Sequence, residues 1–98
     1  MQNYKNLCGN DTMAWFEIQP KDEKKFLGWA KSLGCVWLNG DEINPKKRVG
    51  FIHFSICDDG TLGIVPIFAW VSKRPKVNNI RRYVCKFTQE AHVQLDNY

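Results

Sequence analysis

The chain has 98 residues, of which 44% are hydrophobic and 13% aromatic, and its formal net charge is +4. A length near the commonest domain size excludes two independently cored domains, and the aromatic content excludes a disordered chain. No apolar run approaches the ~20 residues of a membrane helix, and the first residues lack the apolar segment of a secretory signal. We therefore expect one soluble, cytoplasmic domain over residues 1–98.

The four cysteines match no metal-binding motif. They are far apart and include no C-x-x-C pair, which structural zinc sites usually contain. In a reducing compartment each is expected to be a small apolar residue of a strand or strand end, and two disulfides are expected only if the chain is exported. We expect no metal and no cofactor. The residues concerned are Cys8, Cys35, Cys57 and Cys85.

The first third of the chain predicts a strand followed by a helix. Residues 1–11 show no periodicity and are interpreted as an N-terminal arm, whereas residues 12–18 (TMAWFEI) are apolar on both faces, which indicates an interior strand. Residues 20–33 predict a helix, because Pro20 suits its first position and Gly34 suits the left-handed residue after its end. The apolar stripe of this helix comprises Phe26, Ala30 and Leu33.

A hairpin is the clearest local signal of the sequence. Two apolar segments, VGFIHFSIC and TLGIVPIFAWVSK, flank Asp58-Asp59-Gly60. The Asp-Gly pair is typical of a tight hairpin loop of about two residues, which would place Asp58 opposite Thr61. Since Pro66 has no N–H to donate to a strand ladder, the second strand is expected to bend there.

This predicted register makes both faces of the sheet apolar. One face, with Phe54 among its residues, would pack under the helix. The other face needs a cover, because a sheet face in water normally carries polar residues. The N-terminal arm, the C-terminal tail and a second copy of the chain are alternatives, and we favour a homodimer or higher homo-oligomer. The expected interface residues are Leu62, Ile64 and Phe68.

The remaining predicted elements complete a small α+β domain. They are a short strand at 35–38, a polar loop at 41–48, a last strand at 82–88 and a polar, frayed tail at 89–98. The order strand, helix, strand, hairpin, strand predicts a core at 12–88. The expected architecture is an antiparallel-rich sheet of about four to five strands with one helix packed on one face.

The sequence contains no strong catalytic pattern. His53, Ser55 and Cys57 alternate along one predicted strand and so share a face, but such neighbours lie roughly 7 Å apart, too far for a hydrogen bond without favourable rotamers. Neither a G-x-x-x-x-G-K nor a G-x-G-x-x-G motif is present. We therefore expect a binding protein and not an enzyme, with no catalytic residues.

Basic residues near tryptophans are the candidate binding groups. No acidic residue occurs between Gly60 and Gln89, and a second basic run precedes an apolar strand. Lysine and arginine bind phosphates, and indole rings stack on bases, although such clusters are also common as solvated surface. The candidate ligand-binding residues are Trp37, Lys46, Lys47, Arg48, Trp70, Arg74, Arg81 and Arg82.

The order AWFEI, then a helix ending in LGCVWLNG, then FIHFSICDDGTLGI resembles small proteins carried by bacteriophages and other mobile elements. Gly34, Trp37 and Gly40 match their G-x-x-W-x-x-G-like turn, and the resemblance covers residues 13–70. Several such proteins act against bacterial immunity, either by sequestering nucleotide signals or by binding an effector protein. The resemblance implies a binding function in the cytoplasm of a bacterial host.

Three functions follow from these observations. The first is sequestration of a small phosphorylated ligand such as a nucleotide signal. The second is inhibition of a host immune effector, such as a CRISPR nuclease complex, through a protein interface. The third is general nucleic-acid binding, which would lose affinity steeply as salt rises. No membrane partner is expected.

Overall fold

A computed structural model describes residues 4–9, 13–72, 80–88 and 92–98, and within them three α-helices and six strands form an α+β fold. The helices are α1 (Tyr4–Cys8), α2 (Glu23–Ser32) and α3 (Ile67–Val71). The strands are β1 (Met13–Glu17), β2 (Val36–Trp37), β3 (His53–Cys57), β4 (Thr61–Ile64), β5 (Arg81–Phe87) and β6 (Val93–Asn97).

The sheet is mixed, with the strand order β2-β4-β3-β1-β5-β6. β1 pairs in parallel with β5, and β2 pairs in parallel with β4, whereas the other three pairings are antiparallel. The predicted α+β class is confirmed, but the sheet of the described residues has six strands instead of four to five. The connection from β1 to β5 contains α2, β2, β3, β4 and α3, and a long connection of this kind is what a parallel pairing requires.

Helix α2 confirms the predicted helix at 20–33. A 3-10 turn that begins at Pro20 leads directly into α2, and Gly34 has a φ of +89° just after the helix ends. The Phe26 side chain is fully buried, and its ring centroid lies 4.9 Å from that of Phe54 on the sheet. The helix is therefore held by its apolar face against one side of the sheet.

Strand β1 lies between β3 and β5, which confirms the predicted interior strand. Its side chains alternate between the two faces of the sheet. Ala14 and Phe16 point toward α2, whereas Trp15 points to the opposite face. The buried residues on the α2 side form the main core, which comprises Cys8, Ala14, Phe16, Ile18, Phe26, Leu27, Ala30, Cys35, Ile43, Phe54, Ile56, Leu62 and Cys85.

Both ends of the described chain contribute to this architecture. In α1, the Cys8 thiol donates a hydrogen bond to the Ile56 carbonyl at 3.4 Å. Strand β6 lies within the predicted polar tail at 89–98, so the expectation of a frayed terminus was wrong for these residues. β6 pairs with β5, and Leu95 lies opposite Cys85 and packs against the main core. The polar composition of the segment did not indicate these apolar contacts.

The β3–β4 hairpin forms where predicted, but its register differs by one residue. Ile56 lies opposite Leu62, which leaves the loop with Asp58, Asp59 and Gly60 instead of the two expected residues. Gly60 adopts a φ of +88°, which glycine accommodates without strain. The Asp59 carboxylate accepts hydrogen bonds from the Thr61 N–H at 3.0 Å and the Thr61 hydroxyl at 2.7 Å. These bonds stabilise the longer loop and hold the pKa of Asp59 below its ordinary value.

The shifted register changes which side chains face outward. Leu62 is fully buried in the main core, so its predicted place at an intermolecular interface was wrong. Ile64 is exposed to 39% and Phe68 to 74%, so both remain available for contact with a partner. The homodimer stays a prediction.

After Pro66 the chain forms helix α3 and does not continue as a bent strand. Trp70 points from α3 onto the face opposite α2, where it is 1% exposed and stacks on Trp15 at 6.1 Å between ring centroids. α3 therefore covers part of the second sheet face, and the expectation of helix on one face only was wrong. The apolar patch, the outward side of α3, comprises Ile67, Phe68 and Val71.

Two substitutions on α3 test this packing. We expect Trp70→Ala to lower the free energy of unfolding by about 3–5 kcal/mol, because it removes a large buried side chain. Phe68→Ala on the same helix should change it by less than about 0.5 kcal/mol, because that ring is exposed. Urea unfolding followed by circular dichroism measures both, and equal losses in the two variants would contradict the docking of α3.

Candidate anion-binding site

Four basic side chains surround one surface cavity of about 360 Å³. Lys21 and Lys24 lie at the start of α2, and Lys46 and Arg48 lie on the loop that precedes β3. We call this cavity the basic pocket; among the described residues, its lining is Pro20, Lys21, Glu23, Lys24, Pro45, Lys46 and Arg48. Four cations against one carboxylate leave a local excess of positive charge that favours anions.

The loop side of the basic pocket is anchored at several points. Ile43 is fully buried in the main core, and the Pro45 ring lies against α2 at Gly28. Between these two anchors, the Asn44 side-chain oxygen accepts the Lys46 N–H at 3.1 Å, and the Asn44 carbonyl accepts the Lys47 N–H at 3.1 Å. The predicted polar loop therefore has a defined turn that presents its basic residues.

Glu23 joins the two sides of the basic pocket. It is the first residue of α2 and is only 5% exposed. Its carboxylate oxygens accept the backbone N–H groups of Val49 at 2.8 Å and Gly50 at 2.9 Å. Charged acceptors make stronger hydrogen bonds than neutral ones. The only carboxylate in the lining is thus engaged by the protein, and the loop after Arg48 is fixed beside the helix.

The cations themselves are directed to solvent. All four are exposed, and within the described residues none of them forms a salt bridge. The positive end of α2 lies on the same side as Lys24 and adds to the field that an anion would experience. The basic pocket can therefore neutralise an incoming anion without first breaking an internal ion pair.

The structure brings together some of the sequence-predicted residues and separates others. Lys46 and Arg48 line the basic pocket together. Lys47 points elsewhere, into a cavity of about 280 Å³ that also contains Trp37 and the acidic residues Asp41 and Glu42. Trp37, which was expected near the loop at 46–48, therefore shares a cavity with Lys47 but not with Lys46 or Arg48, because consecutive loop residues point in different directions.

Trp70 and Arg82 lie together, but they contact each other instead of forming an open site. The Arg82 guanidinium donates to the Trp70 carbonyl at 3.0 Å and lies over the rings of Trp70 and Tyr98, 5.4 and 4.6 Å from their centroids. Trp70 is buried, so its predicted role as an exposed stacking platform was wrong. Arg81 is exposed and its guanidinium packs beside Gly9, whereas Arg74 lies outside the described residues.

Sequence reasoning missed Lys21 and Lys24 as site residues. Both are exposed lysines at the start of the helical segment, and in the sequence nothing distinguishes them from Lys25. The available clue was Pro20, which fixes the start of the helix and hence the residues on its first turn. What the sequence does not reveal is that the loop at 44–50 folds back on that turn.

The His53 cluster on the face opposite α2 has a structural explanation. His53 Nε2 lies 2.9 Å from Glu17 Oε2, and the His53 ring packs on Trp70 at 4.5 Å between centroids. Ser55 and Cys57 follow on the same face of β3, and both are half-buried. The carboxylate therefore orients the histidine against the tryptophan.

The cysteines are free thiols, and three of them are buried. Burial raises the pKa of Cys35 to about 11 and that of Cys85 to about 12. Among the described residues, no three side chains of His, Cys, Asp or Glu form a group that could hold a metal ion. No helix in this part of the chain has the length and apolar character needed to cross a bilayer.

Comparisons with known proteins add no assignment: no family model matches the chain, and neither a curated protein nor a solved structure matches it significantly. The resemblance to proteins of mobile elements stays a prediction.

Thiol reactivity tests the description of the cysteines. At pH 8 we expect Cys57 to react fastest with a thiol reagent in the native protein, because Cys8, Cys35 and Cys85 are buried and the pKa of the last two is raised. Cys57→Ser should remove the fast phase, and denaturant should release the slow thiols. A fast phase that survives this substitution would contradict the burial of the other cysteines.

Proposed function

We propose that this protein is a non-enzymatic binding protein that sequesters a small phosphorylated ligand in the basic pocket. The observation that carries the proposal is the convergence of Lys21, Lys24, Lys46 and Arg48 on one cavity whose only carboxylate is already hydrogen-bonded to the backbone. A cavity of about 360 Å³ falls within the range of small-molecule sites, which is about 300–1,000 Å³. Nucleotide signals are one class of such ligands.

The basic side chains suit phosphate in different ways. The planar guanidinium of Arg48 can donate two parallel hydrogen bonds to phosphate oxygens. The three lysines supply mobile ammonium groups that adjust to the remaining oxygens. Among the described residues, the pocket lining contains no histidine, serine, threonine or cysteine, and its carboxylate is held by backbone hydrogen bonds, which supports binding without turnover.

A matched pair of loop variants tests the proposal. We expect Lys46→Glu to weaken binding of a phosphorylated ligand by about tenfold or more, because it places a carboxylate in the pocket. Lys47→Glu changes the net charge equally but lies on the other cavity, so it should change affinity much less. Calorimetry against ATP, a cyclic dinucleotide and inorganic tripolyphosphate measures binding, and mass spectrometry checks that the ligand is released unmodified.

The proposal fails if none of these compounds binds the wild-type protein, or if Lys46→Glu and Lys47→Glu weaken binding equally. Turnover of the bound compound would identify an enzyme. Retardation of arbitrary oligonucleotides with a steep dependence on salt, unaltered by Lys46→Glu, would favour general nucleic-acid binding.

A protein-binding function is the second candidate, and the apolar patch favours it. Phe68, exposed to 74%, and its two neighbours on α3 present adjacent apolar surface to solvent. Such patches mark protein interfaces more often than isolated exposed residues do. The partner would be a second copy of the chain or a host effector protein.

Light scattering separates these partners. If the patch forms a homodimer, the wild-type mass at tens of micromolar should be twice that of the chain, and Phe68→Asp should restore the monomer without loss of folding, because the ring is exposed. Lys31→Asp on α2, away from the patch, is the control. A wild-type monomer would exclude the homodimer at these concentrations.

A further inference from the structure

Among the described residues, the lining of the basic pocket offers no aromatic ring on which a nucleobase could stack. Its lining contains prolines and charged side chains but no aromatic residue. Bases are usually held by stacking on aromatic rings or by hydrogen bonds to their edges. Trp37, the tryptophan expected near the loop at 46–48, lines a separate cavity with Asp41, Glu42 and Lys47.

The distribution of positive charge in the basic pocket also favours recognition of phosphate groups instead of a base. Its cations come from two segments of the chain: Lys21 and Lys24 form the helix side of the lining, and Lys46 and Arg48 form the loop side. A compact anion with charges on adjacent groups can contact both sides at once. A cyclic dinucleotide instead carries single charges on separate phosphodiesters, with its bases projecting outward.

We infer that the basic pocket selects a linear polyphosphate group, such as a triphosphate, through its charge alone and without regard to the base or other group attached to it. The inference rests on the proposed function and specifies its ligand class. Arg48 and the lysines contact phosphate oxygens, and the remainder of the ligand extends into solvent.

The test compares ligands that share the polyphosphate and differ elsewhere. Calorimetry at fixed ionic strength, without divalent cations, is carried out with ATP, GTP, CTP, UTP and inorganic tripolyphosphate. We expect dissociation constants within about threefold of one another, and at least about tenfold weaker binding of a cyclic dinucleotide. A spread among the four nucleotides above about tenfold, failure of tripolyphosphate to bind while nucleotides do, or tighter binding of the cyclic dinucleotide would overturn the inference.

A second matched pair tests whether both sides of the pocket contact the polyphosphate. Lys24→Glu should weaken tripolyphosphate binding by about tenfold or more, whereas Lys25→Glu, on the same helix but outside the lining, should have a much smaller effect. Equal effects would overturn the two-sided contact. The proposed function fails separately, if no phosphorylated compound binds or if binding does not depend on Lys46.

Discussion

The position of β1 at the centre of the sheet determines most of the architecture. Its pairing with β3 on one side and β5 on the other sets Phe16 opposite both Phe54 and Tyr83, which gives α2 an aromatic surface to pack on. The same strand turns Trp15 to the opposite face, where α3 packs through Trp70. Because side chains alternate along a strand, β1 contributes side chains to the buried clusters on both faces of the sheet.

The sequence predicted the locations of helix α2 and of the β3–β4 hairpin, because both depend on residues that are close together in the chain. Pro20 and Gly34 bracket the helix because proline fixes φ near the helical value and glycine accommodates the positive φ after the helix, and both lie where the sequence indicated. The hairpin was located correctly but its register was not, since the side-chain hydrogen bonds of Asp59 to Thr61 favour a longer loop than the Asp-Gly pair suggests. That difference of one residue places Leu62 in the core.

The sequence predicted only part of the candidate site, because the cations of that site come from segments that are distant in sequence. Lys46 and Arg48 form a visible basic run, but their separation from Lys47 depends on the turn at Asn44, and their meeting with Lys24 depends on how the loop packs against α2. The composition of the sequence does not indicate how this loop packs against α2. The prediction for Trp70 was wrong for a different reason. A tryptophan beside basic residues indicated a binding platform, but Trp70 is buried in the core.

The double hydrogen bond of Glu23 to the backbone of Val49 and Gly50 explains how the pocket can hold several like charges. Four exposed cations around one cavity repel one another, and a buried carboxylate among them offsets part of this repulsion. The same carboxylate fixes the loop before any ligand arrives. A preorganised pocket loses less conformational entropy on binding than a mobile loop does. For the proposed function, a loop already held by Glu23 suits retention of a ligand, whereas turnover generally needs a group that reacts or moves with the substrate.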